Sequence, residues 1–328
     1  MHSKGCADIV AWQRECTYRT GPVAEHIPFR VQPMLATLAA RPFEKPGWIY
    51  EEKYDGYRIL AYKEGARVTL VSRNGKDRTL TFSAVADAVR KLPPETLLLD
   101  GEVVAFDGRG VSRFQLLQRR NVSTSYAVFD CLYRNGYDLR KAPLSERRFI
   151  LQKTIPNEGT VFLSRQLSED GIRAYDEAKK KGYEGLVAKD LASPYVEERS
   201  SKWLKVKVHQ EEEFVIAGYT APEGMRICFG ALLLGAYKNE QLVFVGKVGT
   251  GFSRTTLRSL FRKFQPLTRK TPSLVDPPRE TGLTHLAPKL VAQIAFEEWT
   301  DDEKLRQPVF LGVRDDKLAK DCRIEEAK

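Results

Sequence analysis

Cysteine is scarce and scattered: Cys6, Cys16, Cys131, Cys228 and Cys322 are odd in number and include no Cys-x-x-Cys pair. That argues against a disulfide framework and structural zinc, and suits a reducing cytoplasm. The four histidines, His2, His26, His209 and His285, show no metal-ligand spacing. Long apolar runs are also missing. The longest, around Ala231 to Tyr237, is far too short to cross a bilayer, and Met1-His2-Ser3-Lys4-Gly5-Cys6 leads into no apolar signal core. Neither Gly-x-x-x-x-Gly-Lys-Ser/Thr nor Gly-x-Gly-x-x-Gly occurs, and Gly246, Gly249 and Gly251 are spaced for a barrel turn instead. These absences argue against a membrane-spanning helix and secretion, and leave P-loop and dinucleotide-binding chemistry unsupported.

What remains is a basic globular chain of 328 residues, 42% apolar and 29% charged, with a net charge of +10. The excess of positive charge points to a polyanionic partner, and the length to two domains. Residues 1–30 lack periodicity and read as a loose arm. Strands and helices alternate over residues 31–209. Val68 to Val71, Thr96 to Phe106 and Tyr126 to Phe129 read as strands, and Phe82, Val85, Val89 and Leu92 recur at helical spacing before Pro93-Pro94. A further helix, capped by Ser168 and closed by Gly182, carries Ile172, Tyr175 and Ala178 on one side. After His209 the pattern becomes a strand meander, one helix, then more strands. Residues 210–320 therefore predict a small barrel such as an OB-fold, with 321–328 as a tail. The fold class expected is α+β.

Several segments plant charge where apolar strands would otherwise run. Lys53-Tyr54-Asp55-Gly56 follows the extended Gly47-Trp48-Ile49-Tyr50, with Arg58 five residues after the lysine. A nucleophilic lysine is demanding: at a pKa of ~10.4 only about one amine in a few thousand is neutral at pH 7, a cost of ~4–5 kcal/mol. Its site must lower the pKa by positive neighbours, desolvation or metal. Ser72-Arg73-Asn74-Gly75-Lys76-Asp77 fits either a solvated hairpin tip or a phosphate contact. Asp100-Gly101-Glu102 sits inside a strand, where acids are costly, so either a bulge at an exposed edge or a carboxylate aimed at a ribose hydroxyl or metal is expected. Phe129 suits the core or a stacked base. Tyr183-Glu184-Gly185-Leu186-Val187-Ala188-Lys189 repeats the theme of charge on an apolar strand. In Trp203-Leu204-Lys205-Val206-Lys207-Val208 strict alternation sends both lysines to one face, as a polar side or a phosphate clamp that also lowers the Lys53 pKa.

Taken in order, these segments and the Arg306 to Lys317 stretch resemble the covalent nucleotidyltransferase superfamily, and within it compact bacterial ATP-dependent DNA ligases. The likeness runs from about Pro33 to Lys317. It implies that Lys53 attacks ATP to form lysine–AMP. Glu51 would read the adenine edge, Phe129 and Val187 would sandwich the base, and Arg58 and Glu102 would hold the ribose. Arg73 would meet the phosphate of AMP or of the nick, with Ser72 beside it on the DNA. Glu184, with Glu102, would bind Mg2+, with Mn2+ as an alternative. Lys205 and Lys207 would contact the α-phosphate, and Arg306 and Lys317 would orient pyrophosphate. The barrel would close over ATP and reopen to grip DNA about a hinge at His209-Gln210. Residues 1–30 and the acidic Glu197-Glu198 fall outside the family pattern, and the helical DNA-binding domain of longer ligases is not matched.

The barrel helix adds a clue of its own. Arg254, Arg258 and Arg262 recur every four residues, Lys263 follows, and no acid occurs from Ser253 to Lys270. The face is either solvated or a contact for the DNA backbone. The expected partners are nicked or broken duplex DNA, with Ku or a polymerase as candidates, and the expected state is a cytoplasmic, nucleoid-associated monomer. A GTP-dependent capping guanylyltransferase and a non-catalytic OB protein are the rival readings.

Overall fold

The computed structural model describes residues 26–324, apart from 120, 121, 209, 223 and 225. Most of the expected arm and His209 of the expected hinge lie outside the described residues. Among the described residues, two sheets and four helices form the first domain. One sheet runs β1 (Leu35–Leu38), β11 (Arg199–Lys207), β10 (Gly185–Asp190), β2 (Trp48–Lys53), β9 (Gln166–Ser168). The other runs β4 (Arg67–Ser72), β3 (Tyr57–Glu64), β5 (Thr96–Val104), β6 (Ser125–Arg134), β7 (Tyr137–Asp138), with β8 (Val161–Leu163) on β6.

Period-two alternation explains the layering. On β3, Ile59 and Ala61 face a core shared with α1 (Ser83–Arg90) and α3 (Leu144–Thr154); the short α2 (Phe114–Leu117) lies between those helices in sequence. Leu60 and Tyr62 face the other sheet through Phe129, Tyr195 and Trp203. Both faces of the second sheet are therefore apolar, as a doubly covered sheet requires. On the outer face of the first sheet, Tyr50, Leu186 and Val206 pack on Ala174 of α4 (Gly171–Lys181). That helix corrects an expectation. Asp170, not Ser168, caps it by accepting from Ile172 N and Arg173 N, and Ile172 is exposed. Gly182 does close it, in the left-handed region at φ 74°.

The second domain is a barrel built on β12 (Gln210–Thr220), which pairs with β13 (Leu232–Lys238), β16 (Leu283–Leu286) and β17 (Val291–Phe296). Around it lie β14 (Gln241–Val248), β15 (Thr268–Arg269) and β18 (Val309–Val313), and a bridge between Thr250 and Val309 closes the barrel. Leu257, Leu260 and Phe264 of α5 (Arg254–Phe264) plug it, with Phe264 stacked on Tyr219 at 5.4 Å. Residues 321–324 are not a free tail. Cys322 is buried and Arg323 bridges Tyr237, so the barrel extends to Ile324. No helix of the described residues is long and apolar enough to cross a membrane.

Candidate active site

Sheet register gathers the charges. β2, β10 and β11 lie side by side, setting Glu51, Val187 and Lys205 in one row and Lys53, Gly185 and Lys207 in the next, all on one face. Gly185 makes the second row possible, because a Cβ there would collide with the Val206 carbonyl oxygen. Apart from Gly185, these residues, with Arg58, Arg73, Glu102, Phe129, Glu184 and Lys317, line a single cavity between the two sheets and the barrel.

Lys53 is paired with Glu184. Burial depresses its ammonium, but Glu184 first, then Asp55 and Glu213, outweigh that and raise its pKa above the ordinary lysine value. The expected lowering by Lys205 and Lys207 is thus not what this conformation holds; carboxylates surround the amine more closely than cations do. The cations act on Glu213 instead. Burial opposes its charge, yet Lys317, Arg314, Lys207 and Lys205 hold it well below the usual range. Lys317 lies 3.2 Å from Glu213, and Lys207 lies 3.2 Å from Glu212.

Glu51 is fixed from behind by Arg148 and by Lys189 at 2.6 Å. The Lys189 ammonium also sits 4.4 Å from the Phe129 ring and 4.3 Å from Trp203, and desolvation pulls its pKa well down. Arg58 forks onto the buried Asp100 at 2.5 and 2.6 Å, donates to Met34 O, and lies 4.4 Å from the Phe129 ring. The Asp100-Gly101-Glu102 segment does contain a register shift, inside the sheet and not at an exposed edge. Asp100 is structural there, while Glu102 faces the cavity. Glu102 accepts no hydrogen bond from the described residues, and burial pushes it up to about 7 despite Arg58, Arg314, Lys53 and Lys317.

Among the described residues no three carboxylate, histidine or cysteine side chains converge as a preformed metal cage. Glu102 and Glu184 both line the cavity, and Glu102 has no hydrogen-bond partner among the described residues. That donor set fits Mg2+, which takes one or two carboxylates and completes its shell with phosphate oxygens and water.

Two expected residues are elsewhere. Arg306 is about half exposed and pairs with Glu298 at 2.7 Å and Glu297 at 3.4 Å, away from the cavity. The arginine that does enter is Arg314, just past β18. It is buried and pairs with Asp316 at 2.8 Å, donates to Gly56 O at 3.1 Å, and stacks 3.9 Å from the Phe114 ring. Ser72 is buried, and its hydroxyl accepts from Lys76 N rather than facing outward. Arg73 reaches Asp321 at 3.6 Å. Arg254, Arg258, Arg262 and Lys263 remain on the outer side of α5, outside the cavity lining and without ion pairs among the described residues.

Residues 33–207 match the family described as "ATP dependent DNA ligase domain", and residues 225–317 match "ATP dependent DNA ligase C terminal region". The chain is 37% identical over 308 residues to "Multifunctional non-homologous end joining protein LigD" of Pseudomonas aeruginosa, covering 90% of this chain and 36% of that relative. To the LigD of Mycolicibacterium smegmatis it is 37% identical over 293 residues, covering 87% of this chain and 38% of that one. It thus spans little more than a third of the length of these curated relatives. Among solved structures, "mycobacterial DNA ligase D complexed with ATP and MES" superposes with a TM-score of 0.68 at 31% identity, covering 92% of this chain and all of the other.

Proposed function

The chain belongs to the ATP-dependent DNA ligase family, and from that premise we propose that it seals 5′-phosphate and 3′-hydroxyl ends of duplex DNA through lysine–AMP on Lys53. The registered row of Lys53, Gly185 and Lys207 beside Glu51, Val187 and Lys205 carries this reading, because it supplies a nucleophile and phosphate-binding cations on one face.

In the first step Lys53 Nζ bonds to the α-phosphorus, the α–β P–O bond breaks and pyrophosphate leaves. The amine's proton is given up to solvent water, since Glu184, its ion-pair partner in this structure, is assigned to the metal. A 5′-phosphate oxygen of DNA then attacks the same phosphorus and the N–P bond breaks. Finally the 3′-hydroxyl attacks the DNA phosphate and AMP leaves. Each transfer rests on in-line positioning and neutralised oxygens more than on acid–base groups. Glu51, Phe129 and Val187 would take the base, Arg58 and Glu102 the ribose, and Lys205, Lys207 and Lys317 the phosphates, with Arg314 in place of Arg306. Glu102 and Glu184 would hold Mg2+, or Mn2+, which when bound supplies positive charge to the transferring phosphate. Arg73 and the α5 arginines would meet the DNA backbone. The names of the LigD relatives, which speak of end joining, support broken ends as substrate. Ku or a polymerase as partner, and a nucleoid-associated monomer in the cytoplasm, belong to the same proposal and rest on the family resemblance alone.

Incubation with labelled ATP or GTP, followed by mass spectrometry, tests the first step. AMP is expected on the peptide containing residue 53, absent in Lys53→Ala, which should still bind nicked DNA. A covalent adduct from GTP alone, or nick sealing by Lys53→Ala, would sink the proposal.

A further inference from the structure

Gln293 belongs to β17 of the barrel, yet it is buried and its side chain reaches across the domain boundary. Nε2 donates to Asp55 Oδ1 at 3.2 Å and to Glu211 Oε2 at 3.1 Å, while Oε1 accepts from Arg314 Nη1 at 3.3 Å. Asp55 lies two residues after the nucleophile. Its other oxygen accepts from Phe114 N at 2.8 Å, and its own N donates to Ser112 Oγ at 3.0 Å. The Phe114 ring carries Arg314, which closes a circuit of Gln293, Asp55, Phe114 and Arg314. Only an amide can donate to two carboxylates and accept from an arginine at once. Without it, Asp55 and Glu211 would confront each other with no donor between them.

The cavity wall over Lys53 includes Gln293, Arg314, Asp316 and Lys317. A nucleotide can occupy a lysine covered in this way; the end of a duplex cannot. The same amine must therefore meet its first substrate with this contact made and its second with it broken.

We propose that Gln293 is a positioning residue for lysine adenylation alone, holding the barrel against the Asp55-Gly56 turn while Lys53 attacks and letting go before DNA is engaged. The inference rests on the ligase reading above. Removal of its hydrogen bonds in Gln293→Ala should slow lysine–AMP formation about tenfold or more. Gln293→Glu, matched in size, should slow it further, because it removes the donors and adds a third acid. Both variants should seal a nicked duplex that already carries 5′-adenylate within about twofold of the unaltered protein.

Single-turnover adenylation with ATP and sealing of pre-adenylated nicked DNA, each measured on protein whose melting temperature has been checked, separate the outcomes. Gln293→Glu keeps the test intact where the alanine variant melts early. Unaltered adenylation in both variants, or an equal slowing of both steps, overturns the positioning role. Failure of the unaltered protein to form lysine–AMP overturns the ligase reading instead, and the inference with it.

Discussion

Glu52 and Lys53 are neighbours on β2 that face opposite ways, and the carboxylate on the far side has its own titration. Its side chain is fully buried, it pairs with Arg165 at 2.8 Å, and its Oε1 has no hydrogen-bond partner among the described residues. Burial raises its pKa from 4.5 to about 7, outweighing Arg165 and Lys181. A folded pKa above the unfolded one means that between those two values the folded protein holds a proton the unfolded chain has released. Stability from this group is therefore present at low pH and falls as pH rises through that window. Glutamine copies the protonated form. Glu52→Gln should gain stability relative to the unaltered protein at pH 8, on the order of 2 kcal/mol, and little at pH 5. Paired urea melts at the two pH values measure the difference; a gain that is the same at both would exclude this titration.

At the scale of the element, α5 presents two faces set by spacing alone. Leu257, Leu260 and Phe264 enter the barrel, Ser253 caps the first turn by accepting from Thr256 N, and Arg254, Arg258 and Arg262 stay outside. Replacing the three arginines by alanine should flatten the dependence of nicked-duplex affinity on salt, the log–log slope falling by about 0.9 for each phosphate no longer neutralised. Lysine–AMP formation should be unchanged. Anisotropy titrations across a KCl series read the slope, and an unaltered slope would return the helix to a solvated face. Helices such as this one, and the alternation of β11, are legible because their signals are local. The departures have a different origin. In α4 the buried side is made of Gly171, Ala174 and Ala178, and a Cβ on Gly171 would collide with Phe43 O. Small residues pack a helix closely and leave no large apolar stripe to read, so nothing local marks Ile172 as the exposed side. Arg306 and Arg314 both flank β18, and only the barrel's docking on Gly56 distinguishes them. The grip of Arg148 and Lys189 on Glu51 likewise joins residues far apart in the chain.

For the whole molecule, the proposed ligase reading makes one domain boundary both the nucleotide's lid and the obstacle to DNA. The segment after β18 is its main fastening. Tyr57 donates to Asp315 at 2.7 Å, Arg78 pairs with Asp315 at 2.9 Å, Lys76 donates to Asp315 O at 2.9 Å and Gln118 to Val313 O at 3.0 Å. Several of these contacts are exposed, and exposed ion pairs contribute little each, so the boundary can open without a large penalty. On that reading, ATP bridging Lys53 and the barrel cations would favour the closed arrangement, whereas a duplex would need the open one. Two ligands that prefer opposite states of one equilibrium oppose each other reciprocally. In Lys53→Ala, which cannot proceed to lysine–AMP, saturating non-hydrolysable ATP with Mg2+ should weaken nicked-duplex binding by about fivefold or more. Saturating DNA should weaken nucleotide binding by an equal factor. Titrating each ligand in the presence and absence of the other checks both halves. Independent binding, with neither constant moved, would mean that the barrel need not leave Lys53 for DNA to approach.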